Sequence, residues 1–393
     1  MELKTKKTVL IFVDWYLPGY KAGGPIKSVS SIVNYLKNDF NFLIITSDTD
    51  FGESKSYDSI KSDEWIKLDD SLSIFYASKK FLSIKNLLKL IKSTSFDLMY
   101  LNSFFSFKFS LLPLLFKKLG YYYKPILLAP RGMLGEGALK LKSRKKGLFI
   151  RLSKLLSLHK NVFWHATSAQ EKKEIELVFG NAIFINEVPN LQYNEKKSAD
   201  FVSSYKEQGI LKLFFLSRIS EKKNLLFALE TLNKMNLMEG LIEFYIIGPI
   251  EDESYWTKCK TRIDLLSPKI KVFYLGAIKN NEVPDVVAPF HFLFLPTFNE
   301  NYGHAIVESF LNGKPVIISD QTPWRNLHDN NAGWDIPLEL NQFISVIDSC
   351  LKMDNERYLE HSKSAVAYAF KNCISTDSVD KTKLMFLNAL KNE

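Results

Sequence analysis

The chain has little of what would place it outside the ordinary globular class. Its 393 residues include three cysteines, Cys259, Cys350 and Cys373. None forms a C-x-x-C, and an odd, scattered set is a poor disulfide framework. No two of the six histidines stand at metal-ligand spacing on a helix, so a zinc site is not expected. No uninterrupted apolar run reaches the ~20 residues of a membrane-spanning helix. The most apolar stretch, 104–119, contains Lys108 and Pro113. The segment from Met1 to Lys7 is charged and enters a strand-like run, with no signal-peptide core or cleavage site. Internal repeats, low-complexity tracts, G-x-S-x-G and Walker A motifs are missing, and no dinucleotide fingerprint follows the first strand. The expectation is a cytoplasmic, folded protein.

Negative charge is also in deficit, but unevenly. Lys and Arg total 52 against 43 Asp and Glu, a net charge of +9. Residues 1–190 hold 29 basic and 17 acidic side chains; the remainder holds 23 and 26. The surplus therefore lies in the first half. From Gly137 to Lys160 there are eight basic residues and no acidic one, interleaved with Leu139, Leu141, Leu148, Phe149, Leu152, Leu155 and Leu156. That is the composition of an amphipathic helix lying on an anionic membrane surface, which is the expected partner of this stretch. Nucleic acid is not expected, because no binding-module signature occurs and the basicity is confined to one half.

Short apolar runs rich in β-branched and aromatic residues alternate with helical patterns along the whole chain. Strands are expected at 8–13, 42–46, 72–76, 98–101, 126–129, 162–166 and 183–188, then at 211–216, 242–247, 272–275, 290–295 and 315–319. Helical spacing marks 26–36, 170–179, 224–235 and 305–312. Runs with little alternation suit sheets covered on both faces, so the class is α/β with parallel sheets. The polar stretch 190–209 reads as a linker with a small helix. The domains are then 1–190, a linker 191–210, a second doubly wound domain 211–370, and a C-terminal helix in 371–393. Ligands of such sheets bind at the carboxyl ends of the strands, and a cleft between two such domains is the default site.

The chemistry-bearing residues cluster after expected strands. After 290–295 comes a segment with Glu300 and Glu308 separated by seven residues, and Tyr302, Gly303, His304, Ala305 and Ile306 between them. Such a pair alone would be two surface carboxylates. Between strand, glycine loop and helix, Glu308 can hold a ribose diol and Glu300 sugar hydroxyls, with a phosphate on the backbone N–H groups of His304 to Ile306. After 211–216, Arg218 and Lys223 can both reach a diphosphate and stabilise it as it departs. After the first strand, Gly23 and Gly24 lead into a helix and can lie close to a phosphate or sugar. Asp48-Thr49-Asp50 matches a D-x-D metal motif but stands far in sequence from these groups, so no metal is expected. His165 is expected to be structural.

Together these motifs resemble glycosyltransferase family 4 (group 1), of the GT-B fold. The resemblance covers nearly the whole chain and is most specific from Leu213 to Pro323. It places the family's E-x7-E motif on Glu300 and Glu308, its basic pair on Arg218 and Lys223, and its glycine loop on Gly23 and Gly24. It implies two Rossmann-like domains facing a central cleft, with the donor held by the second and the C-terminal helix crossing back to the first. It also implies sugar transfer from a nucleotide sugar with retention at the anomeric carbon, without metal or other cofactor. The acceptor would be a growing, lipid-linked surface glycan at the inner face of the plasma membrane. One departure is evident: many members carry a His after a middle strand of the first domain, where 127–136 here has none. Arg131 is the candidate for a phosphate or acceptor role there. A sugar-nucleotide epimerase-like enzyme and a non-catalytic partner of another transferase are the competing readings.

Overall fold

The computed structural model describes residues 6–135, 139, 143–180, 184–192, 203–235, 239–373 and 376–391. Residues 137, 138 and 140–142 of the basic stretch, and 193–202 of the expected linker, lie outside this set. The chain divides into two units, Met1–Tyr193 with Thr376–Glu393, and Asn194–Ser375.

Unit 1 is built on one sheet. Its strands are β1 (Lys7–Phe12), β2 (Phe40–Ser47), β3 (Trp65–Asp69), β4 (Leu72–Ala77), β5 (Leu98–Leu101), β6 (Ile126–Leu128), β7 (Val162–Ala166) and β8 (Ile185–Glu187). Their spatial order is β3-β4-β2-β1-β5-β6-β7-β8. Every pairing is parallel except that of β3 with β4. The helices are α1 (Gly24–Leu36), α2 (Ile84–Ser93), α3 (Leu112–Lys118), α4 (Ser143–Leu155) and α5 (Ala169–Phe179). Alternate residues of β1 serve opposite cores, as the two-residue period of a strand requires. Val9 and Ile11 pack in one cluster, Leu10 and Phe12 in another. The chain's last helix, Thr376–Lys391, completes the first of these. Its Phe386 is fully buried with its ring 5.5 Å from Phe40 and 5.4 Å from Tyr100. Lys383 adds an ion pair to Asp39 at 2.5 Å.

Unit 2 repeats the plan with an entirely parallel sheet. Its strands are β9 (Ile210–Leu216), β10 (Leu241–Ile247), β11 (Ile270–Gly276), β12 (Phe292–Leu295), β13 (Val316–Ser319) and β14 (Gly333–Ile336), in the order β11-β10-β9-β12-β13-β14. Its helices include α6 (Leu225–Lys234), α7 (Glu253–Ile263), α8 (Val283–Val287), α9 (His304–Leu311), α10 (Leu340–Lys352) and α11 (Asn355–Asn372). We number the C-terminal helix of unit 1 α12. β3 and β14 have no counterpart among the strands expected from sequence. Both are edge strands, and β3 is too exposed to show a buried run.

Part of the expected linker is bound into unit 2 instead of spanning free. Lys206 is 1% exposed, and its ammonium donates to the carbonyls of Glu207, Leu351 and Met353. The last two end α10, so the cation sits where helix carbonyls lack intrahelical partners. A polar stretch can be buried in this way because its groups are hydrogen-bonded.

In each sheet the order of the parallel strands reverses once. The reversal falls between β1 and β5 in unit 1, and between β9 and β12 in unit 2. The loops that leave the carboxyl ends of those strands diverge there and leave a crevice.

Candidate functional site

The crevice of unit 2 brings together the two motifs that sequence placed 77 residues apart. Lys223 follows β9, Glu300 follows β12, and the Lys223 ammonium donates directly to Glu300 Oε2. Both side chains are largely buried, at 13% and 14% exposure. Burial alone would raise the Glu300 pKa, but Lys223 and then Lys222 outweigh it and hold the carboxyl below its usual value. Arg218, at the start of the same loop after β9, pairs with Glu251 beyond β10 at 3.1 Å. Sequence reasoning reserved both cations for an anion; the structure pairs each with a carboxylate.

The loop between β12 and α9 is fixed from three sides. Phe298 N–H and Thr297 Oγ1 donate to the carbonyl of Lys222, each at 3.0 Å. Glu300 N–H donates to the carbonyl of Gln321 at 2.9 Å. Trp324 Nε1 donates to the carbonyl of Tyr302 at 2.6 Å, and its ring meets the Tyr302 ring edge-on. Tyr302 also meets His304 edge-on, and both are buried.

Gly303 caps α9 with φ 79° and ψ 61°, the left-handed region that favours glycine. A Cβ there would lie 2.8 Å from Ile306 Cδ1 and 3.0 Å from Glu300 Cγ. The Ile306 N–H donates to the Gly303 carbonyl at 2.9 Å and is used within the turn. Of the expected anion-binding set, His304 to Ile306, the Ile306 N–H is thus already engaged. Glu308 stands in the next turn, half-buried, and its carbonyl receives Asn312.

Asn224 was missed. It is 4% exposed, left-handed at φ 60°, and its Nδ2 donates to the carbonyl of Pro296 at 2.9 Å. It thus ends the Lys223 loop and ties it to the Glu300 loop. Asn is the non-glycine residue that most readily takes this backbone, so an Asn directly after the basic pair was the available signal. Thr297 is fully buried, and nothing in its sequence surroundings marks it.

Gly23, Gly24 and Arg131 lie in unit 1. Gly23 precedes α1 at φ 70°. A Cβ there would meet nothing within 4 Å, so glycine serves the backbone angle and not a close approach. The Asp48-Thr49-Asp50 segment holds this loop. Asp50 accepts the N–H groups of Tyr20, Lys21 and Phe51, and Asp48 accepts Ser62 Oγ. At the unit 1 reversal, Ser106 Oγ donates to Asp14 Oδ1 at 2.7 Å, and burial raises the Asp14 pKa.

Arg131 is committed to a buried network. Its guanidinium donates to Asn190 Oδ1, to Asn102 Oδ1 at 2.6 Å and to the Tyr100 hydroxyl at 2.9 Å. His165 Nε2 faces the Val188 carbonyl at 2.8 Å, so that nitrogen carries the proton. Nδ1 then accepts from the Tyr100 hydroxyl at 2.7 Å. Burial, assisted by Arg131, pushes the His165 pKa down to about 3. His165 is thus a neutral structural group, and Arg131 joins the ends of β5, β6 and β8. The turn at Arg131 and Gly132, both at positive φ, is held by Glu171 Oε1 accepting the Gly132 N–H.

Fold and crevice together define a protein of two doubly wound, Rossmann-like units with a cation–carboxylate group at the switch point of the second. The family model of glycosyl transferases group 1 matches residues 196–360. No curated protein matches the chain. Among solved structures, HepE (Alr3699) of Anabaena in complex with UDP and glucose is similar with a TM-score of 0.71 and 13% identity. The match covers 97% of this chain and 100% of that one. Sucrose-phosphate synthase of Thermosynechococcus elongatus gives a TM-score of 0.73 at 12% identity, covering 99% and 100%. WaaG, a glycosyltransferase involved in lipopolysaccharide biosynthesis, gives 0.60 at 13% identity, covering 97% and 99%. The fold is that of the GT-B glycosyltransferases.

Proposed function

We propose that this chain is a retaining glycosyltransferase that moves a sugar from a UDP- or GDP-sugar to a hydroxyl of a growing, lipid-linked surface glycan. The observation that carries the reading is the meeting of Lys223 with Glu300 at the switch point of unit 2. It lies within the segment matched by the group 1 family model. The similar HepE structure was solved with UDP-glucose, which supports a sugar nucleotide as the donor class.

In this reading Arg218 and Lys223 take the diphosphate, aided by the N–H groups at the start of α9. Glu308 accepts the ribose diol, and Glu300 positions the transferred sugar with Tyr302 and His304 beside it. The bond from the anomeric carbon to the phosphate oxygen breaks while the acceptor oxygen bonds from the same face. The acceptor proton passes to the departing phosphate oxygen, so no protein base is needed. The negative charge that develops on the diphosphate is met by chain cations, and no resident metal is required. The reaction belongs to the cytoplasm.

Calorimetric titration with UDP- and GDP-sugars tests the assignment. Glu308→Ala should weaken binding of the best donor at least tenfold, about 1.4 kcal/mol. Binding equal to wild type would overturn the donor site. Labelled donor incubated without acceptor separates the competing enzyme, since an epimerase would convert it alone.

A further inference from the structure

Helix α4 is amphipathic the wrong way round for a helix that only packs on a sheet. Its inward side carries Phe149, whose ring lies 5.6 Å from Phe104 and 5.3 Å from Phe105, and Ser153, which is 2% exposed. Its leucines point outward: Leu148 is 59% exposed, Leu152 48% and Leu155 80%. Each helical residue turns by about 100°, so these three fall within an arc of about 60°. Lys145 and Arg151, both exposed, then stand roughly 60° to either side of Leu148. Leu156 extends the stripe at 50% exposure, on a helical hydrogen bond to Leu152. Single exposed leucines are ordinary, but a stripe at i, i+4 and i+7 with a cation on either side is not.

We propose that this face of α4 lies on an anionic lipid bilayer, with the leucines in the acyl boundary and Lys145 and Arg151 at headgroup level. Charge complementarity selects the occupant. Between Gly137 and Lys160 there are eight basic residues and no acidic one. A second copy of the chain, docking by two-fold symmetry, would set this patch against itself and oppose like charges. A bilayer carrying acidic phospholipid offers both the apolar layer and the counter-charge. The inference needs neither the donor site nor the transferase reading.

The test is co-sedimentation of the full chain with vesicles of phosphatidylcholine, alone or mixed with phosphatidylglycerol. The wild type should bind the anionic vesicles at least tenfold more tightly, and raised salt should weaken that binding. Lys145→Gln with Arg151→Gln should cost about fivefold per charge on anionic vesicles, roughly twenty-five-fold together. Leu152→Ser with Leu155→Ser should cost at least tenfold at any salt. These positions are exposed, so the variants should melt as the wild type does. Calorimetric titration with the donor should be unchanged in both, which keeps failure on vesicles distinct from failure of the donor site. Equal binding to neutral and anionic vesicles, wild-type binding by the leucine variant, or a dimer that this variant dissolves would each overturn the proposal.

Discussion

Replacing Lys223 by Ala removes the partner of a carboxylate that is only 14% exposed. Breaking a buried pair from one side costs ~3–5 kcal/mol, because the remaining charge is left desolvated. Residual exposure and the nearby Lys222 place the expected loss at the low end, about 3 kcal/mol near neutral pH. Removing both charges with Lys223→Ala and Glu300→Gln should recover most of it, leaving a loss of about 1 kcal/mol. The pH dependence is the sharper readout. In the wild type the Glu300 pKa is held below the usual 4.5. Its contribution is therefore present above pH 4.5 and lost as pH falls through the depressed value. In Lys223→Ala, burial becomes the dominant influence and the folded pKa should rise above 4.5. Its contribution is then complete below the usual value and is lost as pH rises through the raised one. Urea unfolding followed by tryptophan fluorescence, with Trp324 and Trp334 reporting on unit 2, should show wild-type stability rising from pH 5 towards 7, because the buried His291, whose pKa burial pushes down to about 3, stays neutral in the folded state while the unfolded imidazole takes a proton. The variant should lose stability relative to the wild type across that window. A loss under about 1 kcal/mol, or parallel profiles, would refute the reasoning.

Two further substitutions probe the loops that set this pair. Gly303→Ala puts a side chain at φ 79° and against Ile306 and Glu300, so it should cost about 1–2 kcal/mol in urea unfolding. It should also weaken donor binding in calorimetry, and an unchanged titration would separate the turn from the site. Asn224→Ala loses both the tolerated left-handed backbone and the bond to Pro296, for about 2 kcal/mol in unfolding. Asn224→Gly keeps the backbone and should lose only about half of that; an equal loss would show that the side-chain bond dominates.

Sequence made the parallel architecture legible because fully buried strands such as β5 and β12 are short apolar runs between helical patterns. It missed β3, whose edge position leaves it largely exposed, and β14, a four-residue edge strand of mixed composition that opens on a glycine. The residue types of the site were legible for a similar reason: a Glu or Lys in a strand-to-helix loop has a limited set of uses. Their partners were not. Nothing in the spacing says that Lys223 meets Glu300, that Arg218 meets Glu251, or that Trp324 reaches the Tyr302 carbonyl, since each pairing depends on which strands are neighbours. Arg131 shows the opposite hazard. Its position after β6 suggested a ligand, whereas the acceptors waiting for it, Asn102, Asn190 and Tyr100, come from the ends of other strands.

The two crevices follow one topological plan and carry opposite electrostatics. At the reversal between β1 and β5, the carboxyl of Asp14 faces a hydroxyl, and burial wins: its pKa rises. At the reversal between β9 and β12, the carboxyl of Glu300 faces ammonium groups, and they win over burial: its pKa falls. Carboxyls beside the two switch points are thus shifted in opposite directions, and the difference is the pair of lysines beside Glu300. A fixed ammonium beside a carboxylate suits a ligand that brings its own negative charge, because the cation is already desolvated and oriented. A carboxyl beside a serine suits uncharged hydroxyls and disfavours a second anion. Net charge alone would assign an anion to the first unit, since the first half of the chain holds 29 basic against 17 acidic residues, whereas the proposed donor site lies in the second. The difference is positional: much of that surplus stands in and around α4, while the proposed donor site rests on Arg218 and Lys223, each paired with a carboxylate.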